Sequence, residues 1–144
     1  MEHAGAIGGP AILDRMAADL RRSGLRPTRQ RVELARILFA SGHRHISAED
    51  LRAEAAAAGV QVSLATVYNA LHKFTEAGLL REVAIDSGRA YFDTNVSDHH
   101  HFFVEGEGQL IDLVGDVGID NLPEPPEGME ITAMELVVRV RRQR

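Results

Sequence analysis

The chain has 144 residues, enough for one domain or two small ones, and carries no cysteine, which excludes disulfides, thiolate zinc sites, iron–sulfur clusters and a cysteine nucleophile. Its net charge of −5 is divided unevenly, with +2 in residues 1–92 and −7 in residues 93–144. No apolar run approaches the ~20 residues of a membrane span, and residues 1–10 lack the features of a signal peptide, so we expect a soluble, cytoplasmic protein without a membrane partner.

Helical spacing of apolar residues predicts two helices at the start of the chain, at about 12–23 and 28–40. Six arginines fall within residues 21–36, a density typical of a surface that faces phosphates, although an arginine-rich solvated helix face is the other interpretation. Thr28 follows Pro27 and is placed to cap the second helix. The DNA-contacting residues predicted in this region are Arg26, Thr28, Arg29 and Arg31.

Two further helices are predicted, one from the capping sequence at Ser47 to Ala58 and one that begins at Ser63. Apolar residues of the fourth helix repeat at three and four residues and should face the core, at Leu64, Val67, Leu71 and Phe74. The opposite face presents a tyrosine, an amide and a histidine, which suits a recognition helix that meets base edges in the major groove, although an ordinary amphipathic helix has the same spacing. The DNA-contacting residues predicted here are Ser63, Ala65, Thr66, Tyr68 and Asn69.

After Gly78 the pattern changes to the two-residue period of strands. Strands at about 80–85 and 89–93 flank Asp86-Ser87-Gly88, a turn in which glycine would supply a positive φ. Helices followed by such a hairpin predict a winged-helix DNA-binding domain over residues 1–93, in which the wing carries Arg89 toward the DNA backbone.

The run Asp98-His99-His100-His101 places three of the chain's seven histidines side by side. Neutral imidazole is the commonest metal ligand. A strand through this run would send His99 and His101 to one face and His100 to the other, so that one segment would serve two sites. A solvated polar loop is the alternative interpretation, although strand-like sequence flanks the run.

Residues 94–144 are predicted to form a small α/β dimerisation domain with a three-stranded antiparallel sheet, which makes the whole chain an α+β protein. A hairpin at about 101–105 and 109–114 supplies two strands, and a β-branched stretch at 130–141 supplies the third. The proline-rich segment 116–128 cannot support a long regular helix. A sheet with so little helix leaves an apolar face uncovered, which a homodimer would cover, and a two-fold dimer presents two recognition helices to a palindromic operator.

Four motifs in this order resemble the ferric uptake regulator family, over about residues 12–140. They are Gly24-Leu25-Arg26-Pro27-Thr28-Arg29-Gln30-Arg31, His43-Arg44-His45-Ile46-Ser47-Ala48-Glu49-Asp50-Leu51, Leu64-Ala65-Thr66-Val67-Tyr68 and the histidine run. The resemblance implies a metal-responsive transcriptional regulator of double-stranded DNA, not an enzyme, in which Tyr68 contacts bases. Asn69 stands where many members have arginine, which leaves the operator sequence open.

The same resemblance implies a regulatory metal at the hinge between the two domains. The ligands it implies are His45, Asp93, His101 and Asp112. Two imidazoles and two carboxylates suit Fe²⁺, Mn²⁺ or Zn²⁺. The alternative is that the two aspartates are merely solvated.

Several departures from the family pattern narrow the resemblance. Val104 and Glu107 stand where many relatives have a Cys-x-x-Cys zinc pair, and Met134 and His100 replace ligands of another site, so we expect both sites to be absent. The missing cysteines, the triple histidine and the proline-broken middle are most similar to the iron response regulator branch. That similarity implies control of iron and haem homeostasis, with haem ligated by the imidazoles of His99, His100 and His101.

Other functions remain open at this point. Within the family, the alternatives are a regulator that senses manganese, zinc or peroxide. Outside it, a metal- or haem-binding module would leave Tyr68 and the arginines without a role, and a metal-dependent hydrolase would need a motif such as His-Glu-x-x-His, which the chain lacks. Salt-dependent binding to a palindromic duplex separates a regulator from both.

Overall fold

The computed structural model describes residues 10–86, 89–97 and 99–144. The chain divides into two compact units between Val96 and Ser97, named the N-terminal unit and the C-terminal unit below. The predicted domain boundary after residue 93 lies three residues earlier, at the end of the last strand of the N-terminal unit.

The described part of the N-terminal unit contains four helices, close to the four predicted segments. They are α1 (Pro10–Arg22), α2 (Arg29–Leu38), α3 (Ala48–Ala57) and α4 (Leu64–Glu76). Hydroxyl side chains begin three of them: Oγ1 of Thr28 and Oγ of Ser47 and Ser63 each accept a hydrogen bond from the backbone N–H three residues further along, at 3.1 to 3.3 Å. These N–H groups have no partner within their helix, so the caps set where the helices start.

The hydrophobic core of the N-terminal unit is lined by α4 along its predicted apolar stripe. Val67, Leu71 and Phe74 are each 0% exposed, and Leu64 packs half-buried at the edge of the core. The opposite face of α4 includes the half-buried ring of Tyr68 together with three exposed side chains, those of Ala65, Asn69 and His72.

A small antiparallel sheet completes the N-terminal unit. It contains β1 (His45–Ile46), β2 (Arg81–Asp86) and β3 (Arg89–Asp93) in the order β1-β3-β2. The β2–β3 pair is the predicted hairpin, whose turn at 87–88 lies outside the described residues, as do the side chains of Asp86 and Arg89. Strand β1 was not predicted, because two residues are too short to show an alternating pattern.

The sheet of the C-terminal unit differs from the prediction in the direction of one strand. It contains β4 (His100–Val104), β5 (Gln109–Leu113) and β6 (Val137–Val140) in the order β5-β4-β6. The β4–β5 hairpin is antiparallel as predicted, but β6 runs parallel to β4, so the prediction of an all-antiparallel sheet is wrong. Parallel neighbours need a long crossover connection, and residues 114–136 supply it.

The crossover segment, residues 114–136, also departs from the predicted α/β composition. Within the described residues 99–144 the structure contains strands and no helix, and the third strand is shorter than the predicted 130–141. Three prolines at 123, 125 and 126 prevent the regular backbone hydrogen bonding that a helix would need. The crossover segment exposes several large apolar side chains, including those of Val114, Ile119, Leu122, Met129 and Ile131.

Candidate metal centre and nucleic-acid interface

The pairing of β1 with β3 brings two predicted metal ligands of the N-terminal unit together. His45 and Asp93 are cross-strand partners, and His45 Nε2 lies 3.1 Å from Asp93 Oδ2. The other carboxylate oxygen, Asp93 Oδ1, accepts a hydrogen bond from the backbone N–H of Asn95 at 2.8 Å. Asp93 is only 1% exposed, and a carboxylate that deep is tolerated because it is paired and hydrogen-bonded. The pair is therefore held rigidly, with oxygen and nitrogen donors side by side.

A second group of donors lies in the C-terminal unit. His101 and Asp112 are partners across the β4–β5 pair, with His101 Nε2 at 3.4 Å from Asp112 Oδ1. The same oxygen lies 3.2 Å from His99 Nε2, and the two imidazole centroids are 4.5 Å apart. One donor atom from each of the three residues lies within 4.8 Å of the others, and His101 is fully buried.

His99 was not among the four hinge ligands that the resemblance implies, although it was predicted to bind haem or metal together with His100 and His101. The pattern that identifies it was present in the sequence: residues two apart on a strand share a face, and His99 precedes His101 by two. Asp112 lies between the two rings, and Glu135 Oε1 lies 3.8 Å from His101 Nδ1 on the other side of that ring. Imidazole nitrogens with carboxylate oxygens form a donor set that fits Fe²⁺, Mn²⁺ or Zn²⁺.

His100 lies apart from this group, as strand alternation predicts. Its Nδ1 accepts a hydrogen bond from the backbone N–H of Leu136 at 3.0 Å, next to the start of β6. An acceptor at Nδ1 places the proton of the neutral ring on Nε2. The structure therefore brings His99 and His101 together and gives His100 a contact that fastens the crossover segment to β4.

Several side chains predicted to contact DNA meet at the beginning of α4. Ser63 caps the helix, and its Oγ lies 2.9 Å from Oγ1 of Thr66. A groove connects this end of α4 with the start of α2; its lining residues include Thr28, Gln30, Arg31, Ala65, Thr66 and Asn69. Polar and small side chains from two helices thus share one surface, here named the reading face.

Tyr68 on α4 forms a hydrogen bond to a different helix. Its hydroxyl donates to Oε1 of Glu49, in the first turn of α3, at 2.8 Å. The edge of the His72 ring approaches the Tyr68 ring, with the centroids 6.1 Å apart and the planes at 73°. The bond to Glu49 raises the pKa of Tyr68 above its ordinary value, with smaller contributions from desolvation and from the negative charge.

The arginine cluster is not uniform. Arg22 forms an ion pair with Asp19, and Arg36 pairs with Glu33 at 3.0 Å. Arg26 and Arg29 are exposed, while Nη1 of Arg31 donates to the backbone carbonyl of Arg26 at 3.1 Å. The three arginines of this cluster that were predicted to contact DNA therefore lie beside the start of α2, whereas Arg22 and Arg36 are bound to acids of their own helices.

In the described part of the chain, no helix has both the length and the apolar content that a membrane crossing requires.

Comparison with known proteins assigns the chain to a family. Residues 22–139 match the sequence profile described as "Ferric uptake regulator family". The chain belongs to the ferric uptake regulator family. The predicted family is thereby confirmed, while its iron response regulator branch stays a prediction. As a member, the chain is a metal-responsive regulator of transcription and not an enzyme.

Individual relatives agree with this assignment. The ferric uptake regulation protein of Pseudomonas aeruginosa is 34% identical over 131 residues, which cover 88% of this chain and 97% of that protein. The peroxide-responsive repressor PerR of Staphylococcus epidermidis is 32% identical over 101 residues, 70% of this chain and 67% of the repressor. The structure of the ferric uptake regulator from P. aeruginosa with manganese superimposes with a TM-score of 0.66 at 30% identity, covering 90% of this chain and 98% of the other.

Proposed function

We propose that the chain binds a palindromic operator as a homodimer and that one divalent cation per chain sets its affinity for that operator. The proposal is supported chiefly by the two groups of donors, His45 with Asp93 and His99 with His101 and Asp112, each already arranged within its own unit. Two or three donors alone make a weak site for these cations, whereas five from both units make a strong one. We therefore propose that one cation takes ligands from both groups.

The bound cation would supply positive charge that offsets the two aspartates and fixes both units to the same point. The protein residues provide the rest: β1 and β3 hold His45 against Asp93, and β4 and β5 hold His101 against Asp112. If the DNA-binding arrangement and the cation site favour each other, the coupling is reciprocal, and operator DNA must raise cation affinity by the same factor. The donors include no thiolate, and five donors exceed the four that structural Zn²⁺ sites normally use, so we propose Fe²⁺ or Mn²⁺ ahead of Zn²⁺. The related P. aeruginosa structure contains manganese.

We propose that the reading face enters the major groove through α4. Tyr68, Asn69 and Ala65 would contact base edges and methyl groups, because they lie on the side of α4 opposite its fully buried stripe. For phosphate contacts we propose Arg26, Thr28, Arg29, Arg31, Ser63, Thr66 and Arg89. Thr28, Ser63 and Thr66 lie in or next to the first turns of α2 and α4, where helix N-termini favour phosphate.

Calorimetry with Mn²⁺ tests the shared cation. One ion per chain should bind, and His45→Ala and Asp112→Asn should each weaken that same event at least about tenfold, without adding in the double variant. His43→Ala is the matched control, because His43 is exposed two residues before His45. Two ions per chain with independent effects of the two substitutions would contradict the proposal.

Duplex selection tests the DNA-binding roles. Mn²⁺-loaded protein should select a palindrome from a library with a randomised centre. Tyr68→Ala should reduce that sequence preference. Arg29→Ala should weaken binding to all duplexes and lower the slope of log affinity against log salt concentration by about one. Equal effects of the two substitutions on preference would refute this division of roles. A protein that binds DNA belongs with the genome, so we also propose a cytoplasmic location.

For the controlled genes, we propose iron and haem homeostasis, as the similarity to the iron response regulator branch implies. Haem is the second candidate ligand, through His99, His100 and His101. The bond from Leu136 N–H to His100 Nδ1 and the full burial of His101 favour a bare cation over haem in this arrangement. A haem absorption titration of the wild type and of the triple His→Ala variant decides this: identical weak spectra would remove haem from the proposal.

Peroxide sensing is the family alternative that the 32% identity to PerR favours. A peroxide sensor loaded with Fe²⁺ would oxidise its own ligands, so mass spectrometry after peroxide treatment should find an added oxygen on His45, His99 or His101. Unmodified histidines with retained DNA binding would leave metal sensing as the function.

A further inference from the structure

The hydroxyl group of Tyr68 is already engaged inside the protein. It donates to Oε1 of Glu49 at 2.8 Å, a contact between α4 and α3 across 19 residues of sequence. Glu49 lies in the first turn of α3, where the helix dipole favours negative charge. The Tyr68 ring packs half-buried against the core and against His72, so the hydroxyl is held in one position.

Because of this bond, the Tyr68 hydroxyl can form only one further kind of hydrogen bond. A phenol has one O–H to donate and lone pairs that accept, while a carboxylate only accepts. With its proton directed to Glu49, the Tyr68 oxygen can only accept from a third group. Because the pKa of Tyr68 is raised, the phenol keeps that proton at all physiological pH values.

We propose that Glu49 is a specificity-determining residue: by fixing the Tyr68 proton, it makes the Glu49–Tyr68 pair an acceptor-only surface that selects a base with an exocyclic amine. In the major groove cytosine offers N4–H₂ and adenine N6–H₂, whereas the edge of guanine presents the acceptors N7 and O6. The pair therefore favours cytosine or adenine at the contacted position and rejects guanine. This inference rests on the proposed function, in which α4 lies in the major groove.

The carboxylate has a second effect that the experiment must separate from the first. A negative charge near the DNA contacts proposed for α4 repels phosphates and weakens binding to every duplex equally. Asp50 is the matched control, since it is also exposed and acidic, one residue further along α3. Asp50→Ala removes the same charge without removing the acceptor of the Tyr68 hydroxyl.

The test uses full-length, Mn²⁺-loaded protein and selection from a duplex library with a randomised centre. The base pair at which Tyr68→Phe relaxes the preference identifies the contacted position. Glu49→Ala should relax the same position toward guanine by about three- to tenfold, the worth of one hydrogen bond. Glu49→Gln, whose amide oxygen still accepts, should retain most of the preference while binding all duplexes more tightly.

Two further variants complete the test. Glu49→Asp shortens the carboxylate by one methylene, so it should relax the preference as Glu49→Ala does and gives a second measurement if the alanine variant unfolds. The double variant Glu49→Ala, Tyr68→Phe should match Tyr68→Phe alone, because both changes remove one interaction.

The outcomes separate clearly. If Glu49→Ala leaves the preference intact and only raises affinity uniformly, as Asp50→Ala does, the inference is overturned and Glu49 is a repulsive charge. If Glu49→Gln relaxes the position as fully as Glu49→Ala, proton fixing is also overturned. If the wild-type protein selects no sequence at all, it is the proposed function that fails.

Discussion

The two units stabilise themselves to different degrees. The N-terminal unit buries side chains from four helices and a sheet in one core, with Leu34, Leu51 and Phe74 at 0% exposure. In the described part of the C-terminal unit the buried apolar side chains are Phe103, Val104 and Leu110, at 5 to 6% exposure. The proposed dimer would cover this exposed apolar surface of the C-terminal unit, whereas the N-terminal unit buries most of its apolar side chains in its own core.

The largest expected effect is the loss of stability when a buried phenylalanine is replaced by alanine, and it should differ between the two units. Phe74→Ala should lower the free energy of unfolding by about 3–5 kcal/mol, because the cavity lies in a fully packed interior. Phe103→Ala should cost less, since its ring packs in a smaller core, with the Arg139 guanidinium carbon 5.4 Å from the ring centroid. Urea unfolding of both variants measures the difference, and equal losses would break the contrast.

The next effect concerns the partner of the C-terminal unit. Ile111 on β5 is 43% exposed, and Ile111→Lys should weaken the proposed dimer by about tenfold or more by placing a charge in an apolar contact. Gln61→Lys is the control, because it adds the same charge at an exposed position of the N-terminal unit. Sedimentation velocity reports the monomer fraction. A dimer unaffected by Ile111→Lys would place the interface elsewhere.

A smaller effect is expected at the N-terminal caps of α3 and α4, where two serines should differ in their influence on DNA binding. Ser63→Ala and Ser47→Ala should each cost about 1 kcal/mol, because each removes one capping hydrogen bond. Only Ser63 borders the reading face, so only its substitution should also weaken operator binding. Thermal unfolding and duplex anisotropy on the same samples measure both effects, and parallel losses of DNA affinity would count against the position proposed for α4.

The smallest effect lies at the surface of the C-terminal unit. Arg142 lowers the pKa of Glu107 through a hydrogen bond at 2.7 Å. The stability that this pair contributes is therefore present above the ordinary pKa of glutamate and is lost as the pH falls through the lowered pKa. In Arg142→Ala the pKa of Glu107 should return upward, as carboxyl NMR titration would show. Stability at neutral pH should stay within error, since both side chains are exposed to solvent. A large loss of stability in Arg142→Ala would mean that this exposed ion pair stabilises the C-terminal unit more than such pairs normally do.

The helices were predictable because their causes are local. Apolar residues at three- and four-residue spacing and hydroxyl caps at Thr28, Ser47 and Ser63 act within a few residues of each other. The candidate site was only partly predictable. His101 and Asp112 followed from the resemblance, and strand alternation already grouped His99 with His101 and separated His100 from them. The contacts of His99 with Asp112 and of His100 with Leu136 appear only in the folded structure.

Sequence by itself determined the family, the four helices, the two hairpins and the chemical types of the metal donors. Tertiary structure decided that β1 exists, that β6 runs parallel to β4, and that Tyr68 donates its proton to Glu49. The physical reason is distance along the chain. A helix closes its hydrogen bonds four residues away, whereas β1 meets its partner strand 48 residues later and β6 takes its direction from a long crossover.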